Sequence, residues 1–230
     1  HFANVGKGVS VLTFTVLVRD PETGVLGAAA ATGNLCVGGW VLRGNARVGL
    51  SASQGHMPST LWGEDVLVAM GRGLSAKIAV SEVVNTDSAR GKRQLLALDR
   101  VSDGAVFSGD ENLPVVSEIV APNCVVAGNM LKDGSVIKAC HYGFEGSHGP
   151  LESRLLTALK HASDAGGDTR GLQSAAILLV SDEAPPVDLR VDYSDAPLTD
   201  LAQLIQRAKG EKYSLWRSTL PTRQNPLGKI

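Results

Sequence analysis

The stretch "SAAILLV", residues 174–180, is apolar from its second position to its last. A half-exposed strand would alternate polar and apolar side chains, so this run reads as a strand buried on both faces. The sheet that holds such a strand must be covered on both sides. The next run, "VDLRVD" at residues 187–192, does alternate and reads as its partner.

The rest of the chain sorts into the same two kinds of pattern. Apolar and β-branched runs at residues 11–18, 25–32 and 47–53 are separated by turn chemistry such as "RDPETG", where Pro21 and Gly24 are placed to reverse the chain. Helical spacing follows: Trp62, Val66, Ala69 and Met70 share one face, and after a Ser75 N-cap Ala76, Ala79, Val80 and Val83 share another. Strands return at residues 93–99, 104–109 and 123–129, then helices at 135–142 and 150–161, the second opened by Pro150. A last helix at 197–208 turns Leu198, Leu201, Leu204, Ile205 and Ala208 inward. Runs of strands that alternate with helix pairs predict an α+β domain, with stacked sheets and the helices outside.

Such a domain needs a sizeable core, and 43% hydrophobic residues in a chain of 230 supply one. One domain over residues 12–208 is expected, with a lead at 1–11 and an irregular tail at 209–230. His1 is no translation start, so the numbering begins within a longer chain or after trimming. The tail loses all periodicity but holds Trp216, an apolar anchor expected to dock on the surface or on a second subunit. A homodimer follows as the expected assembly. A net charge of -1, with the basic residues scattered, gives no electrostatic footprint for nucleic acid. No apolar run is long enough to span a bilayer. Three cysteines, Cys36, Cys124 and Cys140, form no CxxC pair and are odd in number, which fits a reducing, cytoplasmic compartment.

The familiar nucleotide, hydrolase and zinc-protease signatures are absent from the sequence. "GGDTRG" at residues 166–171 reads as a helix stop and turn before an anion cradle. His56, His141, His148 and His161 with Cys36 and Cys140 offer no pair of ligands on one face of an element. The adjacent Cys140 and His141 diverge, so neither a metal nor a cofactor is expected. More informative are polar residues at strand ends beside glycines. "GLSASQGHMPS" carries Ser51, Ser53, Gln54 and His56 out of a strand, and "VVAGNML" ends another on Asn129. Each amide alone reads as a turn cap; together with Thr13 they line one cleft, where Gln54 and Asn129 can donate to a developing oxyanion or a substrate amide. Arg47 or Arg190 is the expected partner of a substrate carboxylate, with Ser53 and His56 beside it.

The segments "LTFTVLVRDPETGVLGAAAAT", "VGLSASQ", "RQLLALD", "AGNML", "GGDTRGLQSAAILLV" and "VDLRVD" together resemble the bacterial proteins called domain of unknown function 1028. That family is grouped with the N-terminal nucleophile (Ntn) hydrolases, and the resemblance runs from about residue 12 to 205. It implies a four-layer αββα sandwich, in agreement with the element order above. It also implies that Thr13, followed by Phe14, stands where family members begin after loss of Met. In related hydrolases a terminal Thr, Ser or Cys attacks an amide while its own α-amine is the base. An α-amine titrates near 7.7 to 8.0, close to the value a base needs at neutral pH. The Asp and Lys of proteasome-like members have no counterpart; Thr32 and Arg47 stand in their stead. The resemblance thus points to a hydrolase of small amide-type substrates with Thr13 as a latent nucleophile, or to a non-catalytic small-molecule-binding protein that retains the cleft.

Overall fold

Strand β1 (Thr13–Arg19) is buried along nearly its whole length, because its two faces feed two different cores. Phe14, Val16 and Val18 point one way into a core shared with helices; Leu17, on the alternate face, enters a core shared with a second sheet. The structure, a computed structural model, describes residues 12–101, 103–166 and 171–228. The lead, with Phe2 and Val5, and most of "GGDTRG" lie outside the described residues.

After β1 the chain runs through β2 (Leu26–Thr32), a short α1 (Val37–Trp40), β3 (Leu42–Asn45) and β4 (Gly49–Gln54). Helices α2 (Thr60–Gly71) and α3 (Ala76–Asn85) come next, then β5 (Gln94–Asp99), β6 (Ala105–Ser108), β7 (Ser117–Ala121) and β8 (Cys124–Asn129). Helices α4 (Ser135–Glu145) and α5 (Leu151–Asp164), strands β9 (Ser174–Val180) and β10 (Val187–Val191), and helices α6 (Pro197–Ala208) and α7 (Glu211–Arg217) complete the order. This is a mixed α and β architecture with two antiparallel sheets. One has the order β10-β9-β2-β1-β8-β7 and the other β3-β4-β5-β6.

Leu17, Ala28, Ala30 and Ala127 of the larger sheet meet Leu50, Ala52, Leu96 and Leu98 of the smaller. Alanines on this surface bring the sheets close. Helices α4, α5 and α6 pack on the other face of the larger sheet through Ile137, Leu155, Leu159 and Leu201. Helices α2 and α3 cover Leu95 and Ala97 of the smaller sheet with Trp62, Val66 and Val80. As the run "SAAILLV" predicts, β9 is buried on both faces; β10 beside it alternates and forms the sheet edge.

Among the described residues, α1, β3, β7 and α7 have no counterpart in the sequence reading. In α1, "VGGW", a side chain at Gly38 would come within 2.7 Å of the Ala176 Cβ, so the helix is there because glycine lets it lie on β9. The tail is not irregular throughout, since α7 forms at residues 211–217 with no buried face to give a periodic signal. Its Arg217 guanidinium donates to the Pro185 carbonyl.

Candidate active site

Thr13 opens β1 opposite Thr32 of β2 on one side and Asn129 of β8 on the other. The Gly33 N–H donates to the Leu12 carbonyl, so Leu12 and Gly33 form a hydrogen-bonded pair and the next pair, Thr13 and Thr32, is of the close, non-bonded kind. Their hydroxyl oxygens lie 3.0 Å apart. Thr32 gives its single proton to the Leu12 carbonyl oxygen at 2.8 Å, which leaves Thr13 as the donor in the hydroxyl pair. The Leu12 carbonyl thus accepts from two donors, Thr32 Oγ1 and the Gly33 N–H, at 2.8 and 3.3 Å.

One step along the same face, Thr15 donates to Gln54 Oε1 at 2.6 Å, reaching from the larger sheet to the last residue of β4 in the smaller. Gln54 Nε2 gives one proton to Gln94 Oε1 and the other to the Ala127 carbonyl. Asn129 Nδ2 also donates to Gln94 Oε1, at 3.1 Å. Gln94 donates onward to Ser108 Oγ and the Gly128 carbonyl. The two sheets are therefore pinned beside Thr13 by a buried amide network whose centre is Gln94. Asn129 Oδ1 is the one acceptor of this group that is buried without a hydrogen-bond partner.

Thr13, Thr32 and Gln54 form part of the wall of an open cavity of about 570 Å³, lined also by apolar Trp40 and Met130 and by His56. This volume suits a small molecule. Its rim is built from unusual backbone. Cys36 and Met130 hold φ at 59° and 55°, a region that costs a residue with a side chain of order 1–3 kcal/mol. Gly55 turns the chain straight out of β4 at φ 129°, where a Cβ would fall 2.6 Å from the Lys92 carbonyl oxygen.

Of the residues singled out in the sequence, Thr13, Gln54 and His56 line the cavity, while Asn129 is paired with Thr13 in the sheet and buried behind the wall. Gln54 and Asn129 leave different strands and meet at the side-chain carbonyl oxygen of Gln94; both Gln54 N–H groups are donated within the protein, so Gln54 has none left for a ligand and acts as a positioning residue. Ser53 does not join them. Alternation along β4 turns it with Ser51 toward Gly63 of α2, and its hydroxyl is buried there without a partner. Arg47 lies before β4, at the end remote from Gln54 by more than about 15 Å of strand, and pairs with Asp182 at 3.3 Å. Arg190 packs on Gly38 and Gly39 behind α1, pairs with Asp192 at 3.1 Å and does not line the cavity. Neither arginine lines the cavity beside Thr13. Gln94 and Trp40 escaped the sequence reading because a polar residue at a strand start reads as a boundary and a lone Trp beside glycines reads as loop.

The sequence model of a family of unknown function, DUF1028, matches residues 13–201, so its first matched position is Thr13. The crystal structure of a Silicibacter pomeroyi protein matched to the same family is 44% identical, with a TM-score of 0.92 over 95% of this chain and 96% of that one. The Anbu protein (ancestral beta-subunit) of Yersinia bercovieri aligns at 10% identity and a TM-score of 0.43, over 88% of this chain and 96% of its own. No curated protein matches the chain.

Proposed function

We propose that this chain, which belongs to the DUF1028 family, is a hydrolase of small amide-type substrates, built as a four-layer αββα sandwich of Ntn type, with Thr13 as its latent nucleophile. The succession of three cores, from outer helices through two sheets to outer helices, supports the layering. The observation that carries the chemistry is the pair of donors on the Leu12 carbonyl oxygen beside the Thr13 hydroxyl. While Leu12 is attached, the Thr13 nitrogen is an amide and cannot act as a base, and the donors are occupied.

Once water hydrolyses the Leu12–Thr13 bond, the lead departs as a carboxylate ending at Leu12, Thr13 gains an α-amine and the donors are released. Substrate carbonyl oxygen takes the place of the Leu12 carbonyl against Thr32 Oγ1 and the Gly33 N–H. The amine takes the Oγ1 proton as Oγ1 attacks the carbonyl carbon, then passes it to the departing nitrogen, leaving an ester on Oγ1. Water, deprotonated by the same amine, attacks the ester and restores the hydroxyl. Asn129 Oδ1 supplies the amine with an acceptor that is otherwise unpaired. Trp40 and Met130 select a compact, partly apolar substrate. On this reading the step at Thr13 needs no metal or cofactor, and the protein works in the cytoplasm as a homodimer.

A specific observation favours a second reading, a binding protein that keeps the cleft without the chemistry: Leu12 itself fills the carbonyl position at the site. The two are separated by assaying full-length protein, protein beginning at Thr13, and the latter carrying Thr13→Ala, against a panel of small amides and lactams. Hydrolysis confined to the second protein supports the enzyme; equal behaviour of all three leaves only the binding reading.

A further inference from the structure

We propose that Cys124, His141 and Glu145 form a binding site for a divalent ion of the zinc class that clips α4 to the start of β8. His141 and Glu145 stand four residues apart on α4 and so share a face of the helix. Cys124, the first residue of β8, meets that face from below, with its Sγ 3.8 Å from His141 Nδ1. One thiol, one imidazole and one carboxylate oxygen all lie within 4.8 Å of one another. A tetrahedral zinc ion, with bonds of about 2.3 Å to sulfur and 2.0–2.1 Å to nitrogen, requires a sulfur–nitrogen separation of about 3.6 Å. The sulfur–nitrogen pair, at 3.8 Å, is within a few tenths of an ångström of this value, and the exposed Glu145 carboxylate closes the remainder by side-chain rotation.

The donor types select the ion. Thiolate and imidazole favour zinc over magnesium or calcium, which seek oxygen alone. Thiolate and carboxylate together neutralise a dication. The Arg154 guanidinium, also felt by Cys124, lies over the Phe144 ring at 4.2 Å and adds the local positive charge against which the ion must bind. A thiol binds a metal as its thiolate, so the ion displaces the Cys124 proton and binding releases it to solvent. Cys124 is buried, whereas Glu145 is exposed, so the ion would enter from the Glu145 side and keep a fourth position for water. Spacing along the sequence hides the site because Cys124 comes from another element and Glu145 is an ordinary surface carboxylate until α4 is placed. Strand β8 separates this cluster from Asn129 by about 17 Å, so the inference is independent of the chemistry at Thr13.

The test uses metal-free full-length protein titrated with zinc by calorimetry and with cobalt(II) by absorption. Expected are one ion per chain, proton release, a thiolate-to-cobalt charge-transfer band in the near ultraviolet, and a thermal midpoint that rises with zinc and falls back on chelation. Cys124→Ser abolishes the band and Cys36→Ser retains it. Glu145→Gln, an exposed change that leaves the fold alone, lowers zinc affinity about tenfold or more. Absence of stoichiometric binding by folded protein, a band that survives Cys124→Ser, or unchanged affinity in Glu145→Gln overturns the proposal. Should Cys124→Ser fail to fold, the Glu145→Gln affinity decides.

Discussion

The hydroxyl of Thr13 donates to that of Thr32 across 3.0 Å, while Thr32 spends its own proton on the carbonyl of the residue before Thr13. One side chain therefore touches both the candidate nucleophile and the bond that masks it. Thr32→Val keeps the shape and removes both roles. In protein beginning at Thr13 it is expected to lower the rate about 10²- to 10³-fold, read as kcat/KM on whichever amide the trimmed wild type hydrolyses.

Gln94 accepts from Gln54 and Asn129 at once, and so ties the two sheets at the site. Gln94→Leu leaves at least two buried N–H groups without an acceptor. A loss of about 2–4 kcal/mol of stability is expected in urea unfolding, more than for Gln54→Leu. A double-mutant cycle on the pair should give a coupling of about 0.5–3 kcal/mol; additive effects would show that the amides act separately.

Leu17 and Arg47 test the fold against the corrected site. Leu17 is fully buried between the sheets, so Leu17→Ala should cost about 2–5 kcal/mol. Arg47 makes an exposed ion pair on the far end of β4, so Arg47→Ala should change stability by no more than about 0.5 kcal/mol and leave ligand binding at the cavity unaltered. Both are read from denaturant midpoints.

Much of the fold was legible because burial leaves a periodic trace. Strand β9 betrayed itself by six apolar residues in succession, and α6 by Leu201 and Ile205 on one face. Short elements held by close approach leave no such trace: α1 depends on two glycines, β3 and β7 are brief, and α7 buries no residue. At the site, Thr13, Gln54 and Asn129 were readable as polar ends of apolar strands. Gln94 was not, since its partners come from strands distant in sequence. Arg47 and Ser53 were misjudged for a geometric reason, one lying at the wrong end of β4 and the other on its wrong face.

Alkaline pH should expose the buried thiols. Burial raises Cys140 well above its ordinary range and Cys124 to about 12. Both stay protonated in the folded chain while the unfolded chain ionises above about 9, so this contribution is intact below that pH and is lost as pH climbs toward the folded values. In metal-free protein, Cys140→Ala should be less stable than wild type at neutral pH through its lost packing. It should show a shallower decline between pH 9 and 11, by about 1.4 kcal/mol per pH unit. Parallel declines in the two proteins would contradict the burial argument.

Helix α7 leaves Leu215 and Trp216 exposed, 67% and 54%, on a segment that buries no residue of its own. A twofold homodimer that covers them is expected, with light scattering giving twice the chain mass at micromolar concentration and Trp216→Glu reducing it to one. A monomer mass for the wild type removes this part of the account.

The most direct measurement is the site of covalent acylation. Protein beginning at Thr13 is treated with a small β-lactone, an electrophile that opens onto a nucleophilic hydroxyl, and the adduct is mapped by peptide mass spectrometry. The expected result is a single acyl group on Thr13, formed with dependence on a group titrating near 8 or below. It should be missing from the full-length chain, where the nitrogen is acylated by Leu12, and from the trimmed Thr13→Ala protein. Equal labelling of the full-length chain, or an adduct on any other residue, would contradict Thr13 as the nucleophile.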